Sequence, residues 1–233
     1  MNDSPIGIFD SGSGGLTVLD ACRKLLPHEN FVYVSDSRKG GWGSLPANQI
    51  ALRACACVDK LSEYGCKAVV AACNTATESS ICALRNDYEL PFVGLEPALL
   101  PAVRAFPNGK ITVICTPATS RQPKFKELLD KCKDARVAVR PQPKLASMIE
   151  NGLHSLDSLR GEAERIVEEE KPDALVLGCT HYVFIRYIFE SLLGAERVFD
   201  GNLGAARRLL AVLTERELLS AREESGSLTF DAI

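Results

Sequence analysis

Two short segments of the chain repeat one another, and each sets a cysteine at the end of an apolar run. Residues 67–77 read K-A-V-V-A-A-C-N-T-A-T, and residues 173–183 read D-A-L-V-L-G-C-T-H-Y-V. In both, the run closes on a small residue and the cysteine, and short hydrogen-bonding side chains follow at once. Cys73 and Cys179 stand 106 residues apart, and the same offset carries Ile8-Phe9-Asp10 onto Ile114-Cys115-Thr116. A duplication of this kind constrains the fold to two similar halves facing one another across a cleft, each offering one thiol. Chemistry that needs a base on either side of one carbon uses that arrangement.

Between the repeats, apolar runs of strand length alternate with helical stretches, the pattern of an α/β protein with mainly parallel sheets. Strands are expected at Ile6–Asp10, Phe31–Ser35, 68–72, 92–95, 111–115, 136–139 and 174–177, with Phe199 marking the last. Helices are expected at 16–26, 47–64, from Thr75, near Pro97 and Pro101, and at 123–131, 159–170 and 203–215. The boundary falls near residues 95–100, and the last helix is expected to return to the first half. This gives one lobe of residues 1–96 plus 204–233 and a second of 97–203. The tail beyond Arg222 is polar and is expected to be loose.

Composition excludes several function classes. The chain has 233 residues, 46% hydrophobic and 24% charged, with a net charge of −3, so it can bury a real core and carries no basic footprint for nucleic acid. Arg38-Lys39 and Arg207-Arg208 are too short to be basic tracts and read as solvated surface. Met1 to Pro5 lacks the apolar segment of a signal peptide, and no apolar run approaches the roughly 20 residues of a membrane helix. A cytoplasmic protein is expected. Nine cysteines in a chain of this size read as free thiols in a reducing compartment. There is no C-x-x-C, and Cys179 and His181 form an isolated C-x-H, so no metal site is expected. Cys22, Cys66, Cys82 and Cys132 read as small apolar or surface residues.

Parallel strands place their carboxyl ends at a binding crevice, where the following helices present N–H groups. Asp10-Ser11, Cys73-Asn74-Thr75, Thr116 and Cys179-Thr180-His181 all collect there. A cysteine at a helix N-terminus is expected to have a lowered pKa. For either cysteine alone, a packed strand-end residue is the plainer reading; two at matched positions favour function. Asp10 either caps the next helix or serves Cys73. His181 either serves Cys179 or starts a helix at the surface. Glu150, in S-M-I-E-N-G, reads more simply as a solvated helix end. Gly12–Gly15, G-S-G-G, matches neither a dinucleotide fingerprint nor a P-loop. A tight turn and an N–H cradle for a carboxylate are equally good readings of it.

The segments I-G-I-F-D-S-G-S-G-G-L-T-V-L, A-C-N-T-A, P-F-V-G-L-E-P-A, T-P-A-T (Thr116 to Thr119) and L-G-C-T-H-Y resemble, in register from Ile6 to Asp200, the glutamate racemases of the cofactor-independent amino-acid racemases. The resemblance implies two α/β domains with the active site between them, and no cofactor. It implies that Cys73 and Cys179 are the two bases, Cys73 taking the proton of D-glutamate and Cys179 that of L-glutamate. Asp10, Glu150 and His181 match positions that tune the thiols. Ser11, Trp42, Gly43, Asn74, Thr75, Thr116, Thr119 and Thr180 match substrate-binding positions. The product would supply peptidoglycan, and homodimers are common in families of this kind.

Three departures stand out. Gly41-Trp42-Gly43 replaces the usual P-Y-G, in a segment that would hold the substrate's far carboxylate through backbone N–H groups. His181-Tyr182-Val183 replaces H-Y-P, and the chain is shorter than typical members. A racemase of aspartate or another amino acid, and a catalytically silent ligand-binding homologue, are the competing readings.

Overall fold

A computed structural model describes residues 2–36, 41–152 and 155–233. Arg38-Lys39, read above as solvated surface, lies outside them. The first unit runs β1 (Ile6–Asp10), α1 (Leu16–Leu25), β2 (Phe31–Ser35), α2 (Ala47–Glu63), β3 (Ala68–Ala71), α3 (Asn74–Asp87) and β4 (Phe92–Gly94). After α4 (Leu99–Ala105), the second runs β5 (Lys110–Cys115), α5 (Pro117–Ser120), α6 (Pro123–Asp130), β6 (Arg136–Pro141), α7 (Leu145–Glu150) and α8 (Leu156–Glu170). It continues through β7 (Ala174–Gly178), α9 (Thr180–Val183), α10 (Arg186–Leu193) and β8 (Val198–Asp200). Then come α11 (Asn202–Glu215) and β9 (Leu228–Ala232).

The strands form two parallel sheets, in the orders β4-β3-β1-β2-β9 and β6-β5-β7-β8. The 106-residue offset of the cysteines runs through both. It carries Ala68, the first residue of β3, onto Ala174, the first of β7, and it carries the bounds of β4 onto those of β8. In each sheet the first strand is flanked by the second on one side and the third on the other. Each sheet therefore reverses its strand order between its first and third strands, and a crevice opens at their carboxyl ends. Asp10, the last residue of β1, and Cys73, beyond β3, stand at one crevice, Thr116 and Cys179 at the other.

Both faces of the first sheet are covered, which is why its strands read as continuous apolar runs rather than alternating ones. Ile6, Ile8, Tyr33 and Val70 pack with residues of α1 and α11. Phe9, Val32, Val34, Val69 and Ala71 face the opposite way, into α2 and α3. α11 follows the second sheet in sequence but packs on α1 of the first.

The tail is not loose, and Phe199 is not in the last strand. β9 pairs in parallel with β2, from Phe31 opposite Leu228 to Ser35 opposite Ala232. Flanking backbone bonds extend the pairing, from Gly226 N to Pro27 O at 2.9 Å and from Ile233 N to Ser35 O at 3.1 Å. As an edge strand it needs no continuous apolar run. Its Phe230 stays largely exposed and meets only the edge of the Tyr33 ring, with centroids 6.0 Å apart. Backbone pairing with β2, which composition does not register, makes this segment a strand.

Candidate active site

A cavity of about 320 Å³ lies at the carboxyl ends of both sheets. Cys73 and Cys179 both line it, together with Ser11, Trp42, Gly43, Asn74, Thr75, Thr116, Glu150, Thr180 and His181. Asp10 and Thr119 are fully buried and stand outside that lining.

On the first side, Cys73 is the N-cap of α3 in an extended conformation, so its side chain sits where the helix begins. Its Sγ lies 3.5 Å from Ser11 Oγ. Burial, and then the charge of Asp10, push the Cys73 thiol well above the ordinary range, against the pull of Ser11 and the Ala76 N–H. This reverses the expectation of a lowered thiol: desolvation outweighs the helix terminus. Asp10 Oδ2 accepts from the N–H groups of Gly12 (3.2 Å) and Gly15 (3.0 Å), so it ties down the loop before α1 rather than capping the helix's own first turn. Its Oδ1 is buried with no hydrogen-bond partner among the described residues. Burial raises the Asp10 carboxyl, with His181, the backbone N–H groups of Gly15 and Ser11, and then Cys73 opposing it.

On the second side, Cys179 caps the single turn α9. His181 Nδ1 lies 3.8 Å from Cys179 Sγ, and its Nε2 lies 2.7 Å from Glu150 Oε2. Far from starting a helix at the surface, His181 is buried. Burial disfavours its charged form, yet the bonds to Cys179 and Glu150 prevail and hold it up at about 11. Glu150 shows the complementary shift, down to about 2, first through His181, against burial, and with help from Ser13. The pair is an imidazolium and a carboxylate at neutral pH. Glu150 ends α7, but it is no idle solvated helix end.

The G-S-G-G loop serves as an N–H cradle and not through left-handed turn dihedrals, since none of its glycines has a positive φ. Its N–H groups cradle carboxylates, but these are the protein's own: Asp10 for Gly12 and Gly15, and Glu150 for Ser13. Its glycines also admit the second unit. A Cβ at Gly14 would stand 2.5 Å from Thr180 Oγ1 and 2.6 Å from His181 Nδ1, and one at Gly12 would stand 2.7 Å from Glu150 Oε1.

Three buried hydroxyls join the units on the other flank. Thr75 Oγ1 lies 2.9 Å from Thr116 Oγ1 and 3.1 Å from Thr119 Oγ1, and the latter two are 3.0 Å apart. Asn74 is pinned by its amide to Leu95 O at 3.1 Å. The Trp42 indole is fully buried in the core on the α2 face of the first sheet, where Nε1 donates to Asp36 Oδ2 at 3.0 Å. Anchoring the ring there brings Gly43 against the second unit, its carbonyl accepting from Ala118 N at 2.8 Å. Sequence reasoning missed Ser13, whose motif was read only as backbone, and Asp36, which directly follows β2. It also missed Gln142, Ala146 and Ser147, which line the cavity but carry no spacing signal.

Residues 17–209 match the family model described as Asp/Glu/Hydantoin racemase. The chain belongs to this family. A glutamate racemase of Clostridium botulinum is 37% identical over 98% of this chain and 91% of its own length. The crystal structure of a glutamate racemase from Bacillus anthracis superposes with a TM-score of 0.86 at 26% identity, covering 100% of this chain and 89% of the other. That of the Francisella tularensis glutamate racemase, in complex with D-glutamate, gives 0.84 at 26% identity with the same coverage.

Proposed function

We propose that this cleft interconverts L- and D-glutamate without a cofactor: of the pair Cys73 and Cys179, one thiolate takes the α-proton from one face while the opposite thiol delivers its own proton to the other face. The observation that carries this reading is the matched placement of the cysteines. Each follows the third strand of its own sheet, and both line one cavity. The relatives above, glutamate racemases that match nearly the whole chain, support glutamate as substrate and D-glutamate for peptidoglycan as the product's use.

The α-hydrogen of an amino acid is a very weak acid, so a base on one face must act together with donors that stabilise the developing negative charge. An imidazolium 3.8 Å from Cys179 favours negative charge on that side. Cys73, held high by burial and Asp10, keeps its proton. In this state the cleft takes a proton at Cys179 and delivers one from Cys73, the direction the resemblance assigns to L-glutamate. One turnover leaves it set for the reverse. Asp10 and His181 are the groups that reset the two thiols. Ser11, Asn74, Thr75, Thr116, Thr180 and the backbone at Trp42-Gly43 hold the substrate, and Thr119, outside the lining, holds the hydroxyls of Thr75 and Thr116.

No helix among the described residues is long and apolar enough to cross a membrane. The nine free cysteines support a cytoplasmic setting. We also propose the two-lobe division at residues 96/97 and 203/204, and a homodimer, whose mass static light scattering of the purified chain would read.

The deciding measurement is exchange of the α-hydrogen with deuterated water across glutamate, aspartate and neutral amino acids. Exchange and inversion of glutamate alone are expected. Turnover of aspartate instead would reassign the substrate, and no exchange with any amino acid would leave only ligand binding.

A further inference from the structure

We infer that Ser13 is a positioning residue that sets Cys179 from across the cleft, so that this thiol is fully equipped only when the two units are in contact. This rests on the two-thiol reading above. The relay behind Cys73 lies within the first unit: Asp10 ends β1, Ser11 follows it, and Cys73 follows β3. The relay behind Cys179 does not close within the second. Glu150 Oε2 accepts from His181 Nε2 at 2.7 Å, and that same oxygen accepts from Ser13 Oγ at 2.5 Å. The Ser13 N–H is shared between both carboxylate oxygens, at 3.1 Å each. A residue of the first unit's glycine-rich loop thus grips the carboxylate that orients the second unit's histidine.

The physical consequence is a coupling. A carboxylate held on both oxygens has one orientation, and it fixes the imidazole ring in turn. With the units apart, Glu150 keeps His181 but loses all three Ser13 contacts, so the ring is freer to turn away from Cys179. Gly12 and Gly14 let this contact form, because a Cβ at either would collide with Glu150, Thr180 or His181.

The test compares Ser13→Ala and Ser13→Thr with Cys179→Ser, using both enantiomers carrying deuterium at the α-carbon. Enantiomers have equal free energies, so kcat/KM falls equally in both directions whatever a mutation does. The isotope effects need not follow. Slowing the Cys179 step makes the transition state on that side more rate-limiting, raising the isotope effect for one enantiomer and lowering it for the other. Cys179→Ser shows which enantiomer reports on this thiol.

Ser13→Ala is expected to lower kcat/KM about tenfold, the loss of one hydrogen bond to a charged group, and to shift the two isotope effects in the same opposite senses. Ser13→Thr, which keeps the hydroxyl, is expected to restore them. If Ser13→Ala lowers the rate with both isotope effects unchanged, Ser13 is merely structural and the inference is overturned. If Cys179→Ser itself produces no asymmetry, the two-thiol reading fails first.

Discussion

The two cysteines occupy equivalent positions in equivalent sheets, yet their surroundings have little in common. Cys73 caps a helix of 14 residues and Cys179 one of 4. Cys73 sits beside a buried carboxyl whose pKa burial raises, and Cys179 beside a buried histidine held in its charged form. Duplication of the fold accounts for where the sulfurs stand and not for their protonation. A two-base reaction in both directions needs one thiol that has lost its proton and one that has kept it. Identical surroundings would leave nothing to decide which. We propose that the difference between the sides supplies that decision.

Removing either sulfur breaks the comparison outright and has the largest expected effect. Cys73→Ala and Cys179→Ala are each expected to cut racemisation about 10³-fold or more, the scale of a lost acid or base. Each variant is expected to retain α-hydrogen exchange for one enantiomer only, a different one in each case. This would be read by mass spectrometry in deuterated water. Activity persisting in either alanine variant would end the two-base assignment.

Gly14→Ala attacks the contact between the units instead. Its new methyl would meet Thr180 and His181 and force the second unit off the loop. A loss of about 100-fold in kcat/KM is expected for Gly14→Ala, the scale of a misplaced reacting group. Gly161→Ala, on α8, where a Cβ has nothing within 4 Å among the described residues, is expected to behave as wild type in the same assay.

The pH dependence of stability separates the sides more finely. His181 rises from its ordinary 6.5 to about 11. Its contribution is therefore complete below pH 6.5 and is lost as pH climbs towards 11. Glu150 falls from 4.5 to about 2, so its contribution is present above pH 4.5 and is lost towards pH 2. Thermal melts of His181→Gln should lose the alkaline dependence and narrow the acid one, those of Glu150→Gln should lose the acid dependence and narrow the alkaline one, and Asp10→Asn, which removes a weaker pull on His181, should narrow the alkaline window less.

Much of this was legible in the sequence, for identifiable reasons. The buried parallel strands announced themselves because both their faces are covered, and the cysteines because the duplication set them in register. β9 was not legible, since an edge strand held by its backbone to β2 needs no apolar pattern. Nor was the role of Ser13, because its partner Glu150 lies 137 residues away and meets it only through folding. Trp42 was read as a substrate contact from its place in the motif. Its indole also anchors the loop through Asp36, which nothing in the local spacing signals.

The gentlest probe concerns a second carboxyl near the contact between the units, one treated in the opposite way from Glu150. Glu78 lies on α3, which packs on α6, and it is buried with neither carboxylate oxygen hydrogen-bonded among the described residues. Burial raises it from 4.5 to about 7. Lys124 and Lys131 pull the other way, and Glu96 and Glu127 add to the rise. Lys124 is engaged with Glu96, which keeps it from neutralising Glu78. A carboxyl raised on folding costs nothing below pH 4.5 and its full penalty above pH 7, so its effect on stability appears between those values. Glu78→Gln is therefore expected to melt a few degrees higher than wild type at pH 8 and at the same temperature at pH 4, with racemase activity unchanged. An equal shift at both pH values would mean that packing, rather than the buried charge, sets the cost of Glu78.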